Sequence, residues 1–300
     1  MSALDELTAA SREEADLGRM LALVPGHDHP ALAMLLERVA AAVRSGMLRP
    51  DHVEPSFAIH EPGLRLGINA APGRRDASGS TPREVLLLSL AAAIGVDGPR
   101  IHAAVRHWLE SPQHEAFVAV ARASGRTRGK VYLRAAHRSR AELVGPIATL
   151  GGAPSELDAR AEILCVDFDA GGAPIAFKRY VRIEPGELAA RLAGSSLARL
   201  LARHGVSRDE CIAYVSVRLD PAGAPVDEAV HVQVERVGAR GLAHEYARML
   251  GDPALAARLE ELERAVPIVT RVLSQFVGDP RRGHVYVGLD HGAPGQSVRQ

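Results

Sequence analysis

Both lysines of this chain are followed, two positions later, by a tyrosine. The pairs are Lys130 with Tyr132 and Lys178 with Tyr180, and no other lysine occurs among the 36 basic residues. Lysine and tyrosine side chains donate hydrogen bonds, and lysine adds a positive charge. Such groups side by side suit an anion with several oxygen atoms, for example a diphosphate.

Other polar residues recur at the same two-residue spacing. His231 and Gln233 share one face of a predicted strand, together with Glu235, and so do His284 and Tyr286. Alternate residues of a strand point to the same side, so each of these strands presents a polar face. Two interpretations remain open: an antiparallel sheet with one face in water, or a buried polar lumen. The recurrence over several strands favours the lumen.

The elements that must position these residues are short strands and helices. After a helical segment over residues 1–50, a hairpin is predicted from 52–60 and 64–71, with Glu61-Pro62-Gly63 as its turn. Helical patterns are predicted over 82–95, 99–123, 185–204 and 242–277.

Three hydrophobic strands each end in an aspartate that opens a short turn rich in Gly, Ala and Pro. The aspartates are Asp169, Asp220 and Asp290, and a returning strand is predicted after each of them, the last over 297–300. Aspartate bonds to the backbone ahead of it, glycine takes positive φ, and proline is excluded from central strands. These are therefore three predicted hairpins.

Hairpins separated by helices cannot form an ordinary parallel sheet, because the partners within each hairpin are antiparallel. Closing the sheet into a barrel removes its free edges and leaves the helices to pack outside. We therefore predict one α+β domain over residues 1–300, a closed antiparallel β-barrel of about ten strands ringed by α-helices. A barrel this wide is not filled by side chains alone, so its lumen can hold a ligand.

The composition excludes several classes of protein. Lys+Arg 36 balances Asp+Glu 36, which argues against a nucleic-acid partner and against a polybasic membrane surface. No apolar run approaches the roughly 18 residues of a membrane span, and the acidic N-terminal segment lacks the basic region of a secretory signal. We expect a soluble, cytoplasmic protein with neither nucleic-acid nor membrane partners.

Short motifs for other chemistry are absent or belong to loops. The sequence contains no phosphate-binding P-loop, dinucleotide fingerprint, HExxH or GxSxG motif. His27 and His29 resemble a metal pair, but they lie in a loop bounded by Gly and Pro. Asp167 and Asp169 form a D-x-D pair, yet Asp169 begins a turn that recurs twice, so we assign it to the turn and predict no metal site.

Three segments resemble the ABBA-type aromatic prenyltransferases, above all the dimethylallyltryptophan-synthase and indole prenyltransferase branch and its compact bacterial members. They are the first hairpin with Glu54 and Arg65, the strands from Cys165 to Asp169 and from Phe177 to Tyr180, and the segment His284 to Tyr286. The resemblance implies a barrel built from ααββ repeats. It also implies that Glu54 contacts the N–H or O–H of an aromatic acceptor.

The resemblance further implies that the lumen binds a prenyl diphosphate. The predicted diphosphate ligands are Arg65, Lys130, Lys178, Tyr180, His231, Gln233, His284 and Tyr286. The chain departs from the family where His231, Gln233 and Glu235 stand in place of an Arg-x-Lys-x-Tyr pattern. It also has Cys165 or a neighbour where the family often has a lysine.

The predicted activity is transfer of a dimethylallyl or longer prenyl group from its diphosphate to an indole, phenol or peptide acceptor, with Glu54 as general base. Because lysine and arginine already supply positive charge, no cofactor is required and Mg²⁺ is optional. The alternative is a non-catalytic barrel of the same architecture that binds a small metabolite. A scaffold that uses the Arg-rich helices is disfavoured, because it would leave the alternation inside the barrel without a purpose.

Overall fold

The computed structural model describes residues 3–23, 30–49, 52–61, 63–68, 81–93, 95–110, 115–123, 126–134, 145, 147–234 and 241–290. The helices in these ranges are α1 (Ala3–Leu23), α2 (Pro30–Arg44), α3 (Pro82–Ala93), α4 (Gly98–Glu110), α5 (Pro185–Arg191), α6 (Ser196–Arg203), α7 (Leu242–Met249) and α8 (Pro253–Ala265). The strands are β1 (Val53–Ala58), β2 (Gly63–Ile68), β3 (Glu115–Ala123), β4 (Arg126–Arg134), β5 (Ala161–Phe168), β6 (Pro174–Ile183), β7 (Ile212–Leu219), β8 (Pro225–Gln233), β9 (Ile268–Phe276) and β10 (Gly283–Leu289).

The ten strands close into one antiparallel barrel in the order β1-β10-β9-β8-β7-β6-β5-β4-β3-β2. Strands that follow one another along the chain are neighbours, and β1 pairs with β10 through Ser56 and Tyr286 to complete the circle. The predicted closed barrel with helices is therefore confirmed.

Several strands have an apolar face toward the helices and a more polar face toward the lumen. On β4, Val131 and Leu133 are fully buried in the apolar core, whereas Tyr132 lines a cavity inside the barrel. Helices α3 and α4 cover this part of the barrel with residues such as Leu90 and Val105. The main hydrophobic core thus lies between barrel and helices, and the lumen is lined by polar and aromatic side chains together with a few aliphatic ones.

Two of the three predicted aspartate turns lie in the described residues, and both form as predicted. Asp169 accepts a hydrogen bond from the backbone N–H of Ala173 at 2.8 Å, and Asp220 accepts one from Ala224 at 2.8 Å. Gly172 lies inside the first of these turns at a φ of 72°. The residues of the turn predicted after Asp290 lie outside the described part of the chain. The returning strand predicted over 297–300 lies outside the described residues, as do His27 and His29.

Two predicted helices were too long, because each runs into a strand. The segment 99–123 contains α4 and then β3, and the segment 242–277 contains α7, α8 and then β9. Alanine favours helix locally, but Ala119 and Ala121 of β3 pair with Lys130 and Arg128 of β4. Tertiary pairing overrode the local preference. The helix predicted over 185–204 is divided into α5 and α6 near Gly194, whose φ is 73°.

No helix in the described part of the chain is long and apolar enough to cross a membrane. Within the same ranges, no three His, Cys, Asp or Glu residues are grouped so that they could hold a metal ion.

Candidate active site

A cavity of about 230 Å³ lies inside the barrel, and all ten strands contribute to its wall. The lining residues are His52, Glu54, Arg65, Gly67, Ile68, Phe117, Tyr132, Ile163, Tyr180, Tyr214, His231, Gln233, Arg271, Val272 and Tyr286. Concave sites lined by aromatic side chains with a few polar groups are typical of small-molecule binding. The lumen is therefore the candidate site.

Arg65 joins several groups of the cavity wall. Its Nε donates to Ser56 Oγ at 2.7 Å, its Nη1 to the Tyr132 hydroxyl at 2.9 Å and its Nη2 to Glu54 Oε1 at 3.0 Å. The guanidinium carbon also lies 4.6 Å from the centre of the Tyr286 ring. Burial lowers the pKa of Arg65, but the neighbouring phenols and Glu54 raise it by a larger amount. The net result is a pKa above the ordinary value of arginine. Arg65 is thus a fixed positive charge.

Four rings follow one another around the cavity, and we call Tyr132, Tyr180, His231 and Tyr286 the aromatic girdle. Their centres are 6.3 Å apart between Tyr132 and Tyr180, 5.2 Å between Tyr180 and His231, and 6.5 Å between His231 and Tyr286. Arg65 completes the circle through its contacts with both ends. Burial raises the pKa of all three phenols, so they remain protonated hydrogen-bond donors.

Toward the β5–β6 turn, the lumen holds a group of charges that we call the aspartate network. Lys130 donates to Asp167 Oδ1 at 2.9 Å, and the guanidinium groups of Arg128 and Arg218 lie 4.0 Å from Asp167 Oδ2. Burial raises the pKa of Asp167, but Lys130 and Lys178 lower it more, so the carboxyl is held well below its ordinary value. Asp167 is therefore an ionised counter-ion inside the barrel.

Lys178 lies between the girdle and the aspartate network. It is opposite Cys165 on β5 and Arg218 on β7, and its charge lowers the pKa of both Asp167 and His231. Among the residues that the structure describes, Lys178 makes no hydrogen bond. Its ammonium group is therefore more available to an incoming anion than that of Lys130, which is bound to Asp167.

The two lumen histidines are held by serine hydroxyls. His231 Nε2 lies 2.8 Å from Ser216 Oγ, and His284 Nδ1 lies 3.3 Å from Ser274 Oγ. Burial, followed by the charge of Lys178, lowers the pKa of His231 to about 3 and that of His284 well below its ordinary value. Both imidazoles are therefore neutral at physiological pH.

Cys165, which stands at or next to the position where the resemblance leads us to expect a lysine, lies beside the aspartate network. Its Sγ lies 3.5 Å from Asp167 Oδ1. Burial, with Asp167 next to it, raises the pKa of the thiol to about 12. A thiol with this pKa is neither a cation nor an effective base near neutral pH, so Cys165 does not replace a lysine in either role.

The structure brings six of the nine predicted site residues to one cavity. They are Glu54, Arg65, Tyr180, His231, Gln233 and Tyr286. Lys130, Lys178 and His284 are not among the lining residues, although the charges of both lysines act on His284. Glu235 lies outside the described residues.

Sequence reasoning missed two parts of the lumen. Tyr132 was recognised as the partner of Lys130 but not as a site residue, and Asp167 was noted only as a member of a D-x-D pair with the turn residue Asp169. Arg128 and Arg218 were not singled out at all. The two-residue alternation of a strand could have identified two of these residues. Arg128 precedes Lys130 by two positions, and Asp167 follows Cys165 by two positions, so each shares a strand face with a residue already singled out.

No protein-family model and no curated protein matches this sequence. Several solved structures, however, match this chain. The 5-dimethylallyltryptophan synthase from Streptomyces coelicolor is 17% identical, with a TM-score of 0.56, over 97% of this chain and 98% of that one. The same synthase in complex with DMASPP and Trp gives a TM-score of 0.58 at 16% identity, over 100% of this chain and 98% of the other.

A third solved structure, AnaPT from Neosartorya fischeri, is 13% identical over 92% of each chain, with a TM-score of 0.57. At such identities the likeness concerns the fold, which is shared over nearly the full length of each chain. The resemblance that the first hairpin and the Lys178–Tyr180 strand indicated is confirmed at this level. This chain therefore shares the barrel fold of the ABBA-type prenyltransferases.

Proposed function

We propose that this chain is an aromatic prenyltransferase that moves a dimethylallyl or longer prenyl group from its diphosphate to an aromatic acceptor. The observation that carries the proposal is the combination, in one lumen, of the aromatic girdle with the cations Arg65 and Lys178. Allylic transfer needs both features, because it produces an anion and a carbocation at the same time.

The departing diphosphate is stabilised by positive charge that is already in place. Lys178 is not engaged in a hydrogen bond within the described residues, and Arg65 is held rigidly by Ser56, Tyr132 and Glu54. Preorganised charge aimed at a developing anion is usually the largest single contribution to catalysis. The phenol of Tyr180, two positions after Lys178, donates a hydrogen bond to the same anion.

The allylic cation that remains faces the rings of the girdle. Tyrosine faces attract cations through the ring quadrupole, most strongly where water is excluded. The walls formed by Tyr132, Tyr180 and Tyr286 therefore stabilise the cation and shield it from water, which would otherwise capture it.

The acceptor ring attacks this cation, and Glu54 takes up a proton. The C–O bond to the diphosphate breaks with its electron pair, and a bond forms between the prenyl carbon and the arene. A proton then leaves the acceptor. Glu54 Oε1 accepts the bond from Arg65, whereas Oε2 is not used in that bond and serves as the proton acceptor.

The proposed reaction has no requirement for a metal ion. Lys178 and Arg65, with Lys130 in the next layer, supply the charge that Mg²⁺ supplies to diphosphates elsewhere. The kinds of partner are supported by the neighbour of this fold that was solved with DMASPP and Trp. A prenyl diphosphate donor and an aromatic small-molecule or peptide acceptor are accordingly the proposed substrates.

The test is to incubate the protein with dimethylallyl and geranyl diphosphate and a panel of indoles and phenols, and to measure diphosphate release and prenylated product. We expect turnover with at least one pair, and a loss of about 10²- to 10³-fold in Lys178→Met. Arg248→Ala, which changes a guanidinium outside the barrel that is 59% exposed, is the matched control and should leave turnover unchanged.

The competing function is a barrel that binds a metabolite without catalysis. The neutralisation of Lys130 by Asp167 is the observation that favours it. Absence of turnover, together with donor binding that is the same in Lys178→Met, would refute the transferase. Affinity for an aromatic compound alone, independent of diphosphate, would support the binder.

A further inference from the structure

His231 and His284 lie at the same level of the lumen on two strands separated by one. Ser274 of β9 is the register partner of His231 on β8 and also of His284 on β10. His231 lines the cavity directly, and both rings approach Tyr286, at 6.5 Å and 6.2 Å between centres. The two imidazoles therefore form a pair, which we call the histidine pair, along one side of the candidate diphosphate site.

The hydrogen-bond partners of the histidine pair tolerate either protonation state. Both partners are serine hydroxyls, Ser216 for His231 and Ser274 for His284. A hydroxyl can donate to a neutral ring nitrogen or accept from a protonated one. Neither histidine is paired with a carboxylate in the described chain. Nothing in the immediate contacts therefore locks these rings in the neutral form.

The wider surroundings of the pair are what keep it neutral. The charged and titratable groups that face it from the lumen are Glu54 of β1, Arg65 of β2, Arg128, Lys130 and Tyr132 of β4, Cys165 and Asp167 of β5, Lys178 and Tyr180 of β6, Tyr214 and Arg218 of β7, Asp227 of β8, Arg271 of β9 and Tyr286 of β10. In this set the cations outnumber the carboxylates.

The carboxylates of this set are also committed to cations. Glu54 is bound to Arg65 and Asp167 to Lys130, and Asp227 lies 3.5 Å from Arg218. A proton added to the histidine pair in the empty lumen would therefore place positive charge beside positive charge, away from water.

A diphosphate in the lumen reverses the sign of this field. It brings several negative charges next to Lys178, and hydrogen bonds from a protonated imidazole to phosphate oxygens are among the stronger ones in proteins. We propose that His231 and His284 complete the diphosphate site by taking up protons from solvent when the anion binds. This inference rests on the proposed function, because it assumes that the lumen binds a diphosphate.

The size of the effect follows from proton linkage. If both imidazoles change from neutral to charged, about two protons are taken up per diphosphate, and about one if only His231 responds. Affinity then falls as pH rises, by about tenfold per pH unit for each proton taken up, in the range between the lowered pKa of the empty lumen and the higher pKa of the bound state. The sign is diagnostic, because fixed cations such as Arg65 give no such slope near neutral pH.

The experiment is calorimetric titration of the whole protein with inorganic pyrophosphate at pH 7, in three buffers that differ in ionisation enthalpy. The parent protein is compared with His231→Asn/His284→Asn. Pyrophosphate ionises too, but its contribution is common to both proteins, so the difference between them is the share of the histidine pair. We expect this difference to be about one to two protons. His102→Asn, on α4 outside the barrel and bonded to Glu84, is the matched control and should behave as the parent does.

Imidazole ring resonances in the NMR spectrum of the parent protein give a second measurement that needs no lumen variant. They should move to the protonated position when pyrophosphate is added at pH 7. Pyrophosphate binding with the same proton uptake in parent and double variant, or with neutral imidazole resonances, would overturn the inference and leave the proposed function standing. Failure of pyrophosphate and of dimethylallyl diphosphate to bind at all would overturn both.

Discussion

Asp167→Asn removes the carboxylate at the centre of the aspartate network and leaves its cations in place. The side chain of Asp167 is 1% exposed and that of Lys130 is 10% exposed, and they are 2.9 Å apart. Removing one member of a buried ion pair costs about 3–5 kcal/mol, because the other charge remains buried without its partner. Burial lowers the pKa of Lys130, so loss of its proton would remove the unpaired charge and reduce this cost. We expect a loss of about 3 kcal/mol in the free energy of unfolding.

Lys130→Met should cost less than Asp167→Asn. Asp167 would keep Arg128 and Arg218 at 4.0 Å from its other oxygen, so its charge would still be compensated in part. A loss of about 1–2 kcal/mol is expected for this variant. The double variant should be about as stable as Asp167→Asn alone, which corresponds to a coupling energy of about 1–2 kcal/mol between the two side chains.

The assay is urea unfolding of the four proteins at pH 7, with the midpoints converted to free energies at a common slope. The matched control is the same cycle on Arg248 and Glu260, an ion pair of 3.2 Å whose side chains are 59% and 46% exposed. Exposed pairs contribute less than about 1 kcal/mol, so this cycle should show little coupling.

The contribution of Asp167 to stability depends on pH. Asp167 has a folded-state pKa below its ordinary value, so its contribution is complete above the unfolded-state pKa of about 4 and is lost as pH falls further. The difference between parent and Asp167→Asn should therefore shrink in acid and stay constant from about pH 5 to 8. An Asp167→Asn protein as stable as the parent at pH 7, or a coupling no larger than that of the surface pair, would refute the reasoning.

Three further outcomes are expected. Glu54→Gln keeps an oxygen that accepts the bond from Arg65 but cannot take a proton, so turnover should fall about 10²-fold while donor affinity changes little; equal turnover would contradict the assignment. Excess EDTA should leave the transfer rate within about twofold of that with Mg²⁺, and a drop beyond about tenfold would show a metal requirement. Gly152→Ala should lower the free energy of unfolding by about 1–3 kcal/mol, because a Cβ there comes within 2.8 Å of the Phe177 ring. The control is Gly186→Ala, whose Cβ meets no atom within 4 Å, so this variant should be as stable as the parent or slightly more stable. Equal stability of the two variants would be evidence against this packing.

The lumen separates two kinds of positive charge. Arg65 is fixed by three hydrogen bonds at the cavity wall, and Lys130 is held by Asp167. Lys178 lies between them with no hydrogen bond in the described part of the chain. A buried carboxylate therefore limits how many cations an anion can reach.

The sequence alone was sufficient for features that depend on near neighbours along the chain. The hairpins β5–β6 and β7–β8 follow from period-2 patterns joined by turns at Asp169 and Asp220. The sharing of one strand face by Lys178 and Tyr180 follows from the same alternation. Strands β3 and β9 were missed, because their alanine content or their continuity with a helix favours helix locally, and only pairing on both sides makes them strands.

What the tertiary structure decided is which polar faces meet. Alternation places Arg65 and Tyr132 on inward faces, but their hydrogen bond spans 67 residues of chain and depends on the register of β2 with β3 and of β3 with β4. The pairing of Lys130 with Asp167 depends likewise on the register of β4 with β5. Side-chain direction is a local property of a strand, whereas the neighbour across the lumen is determined only when β1 pairs with β10 and the barrel closes.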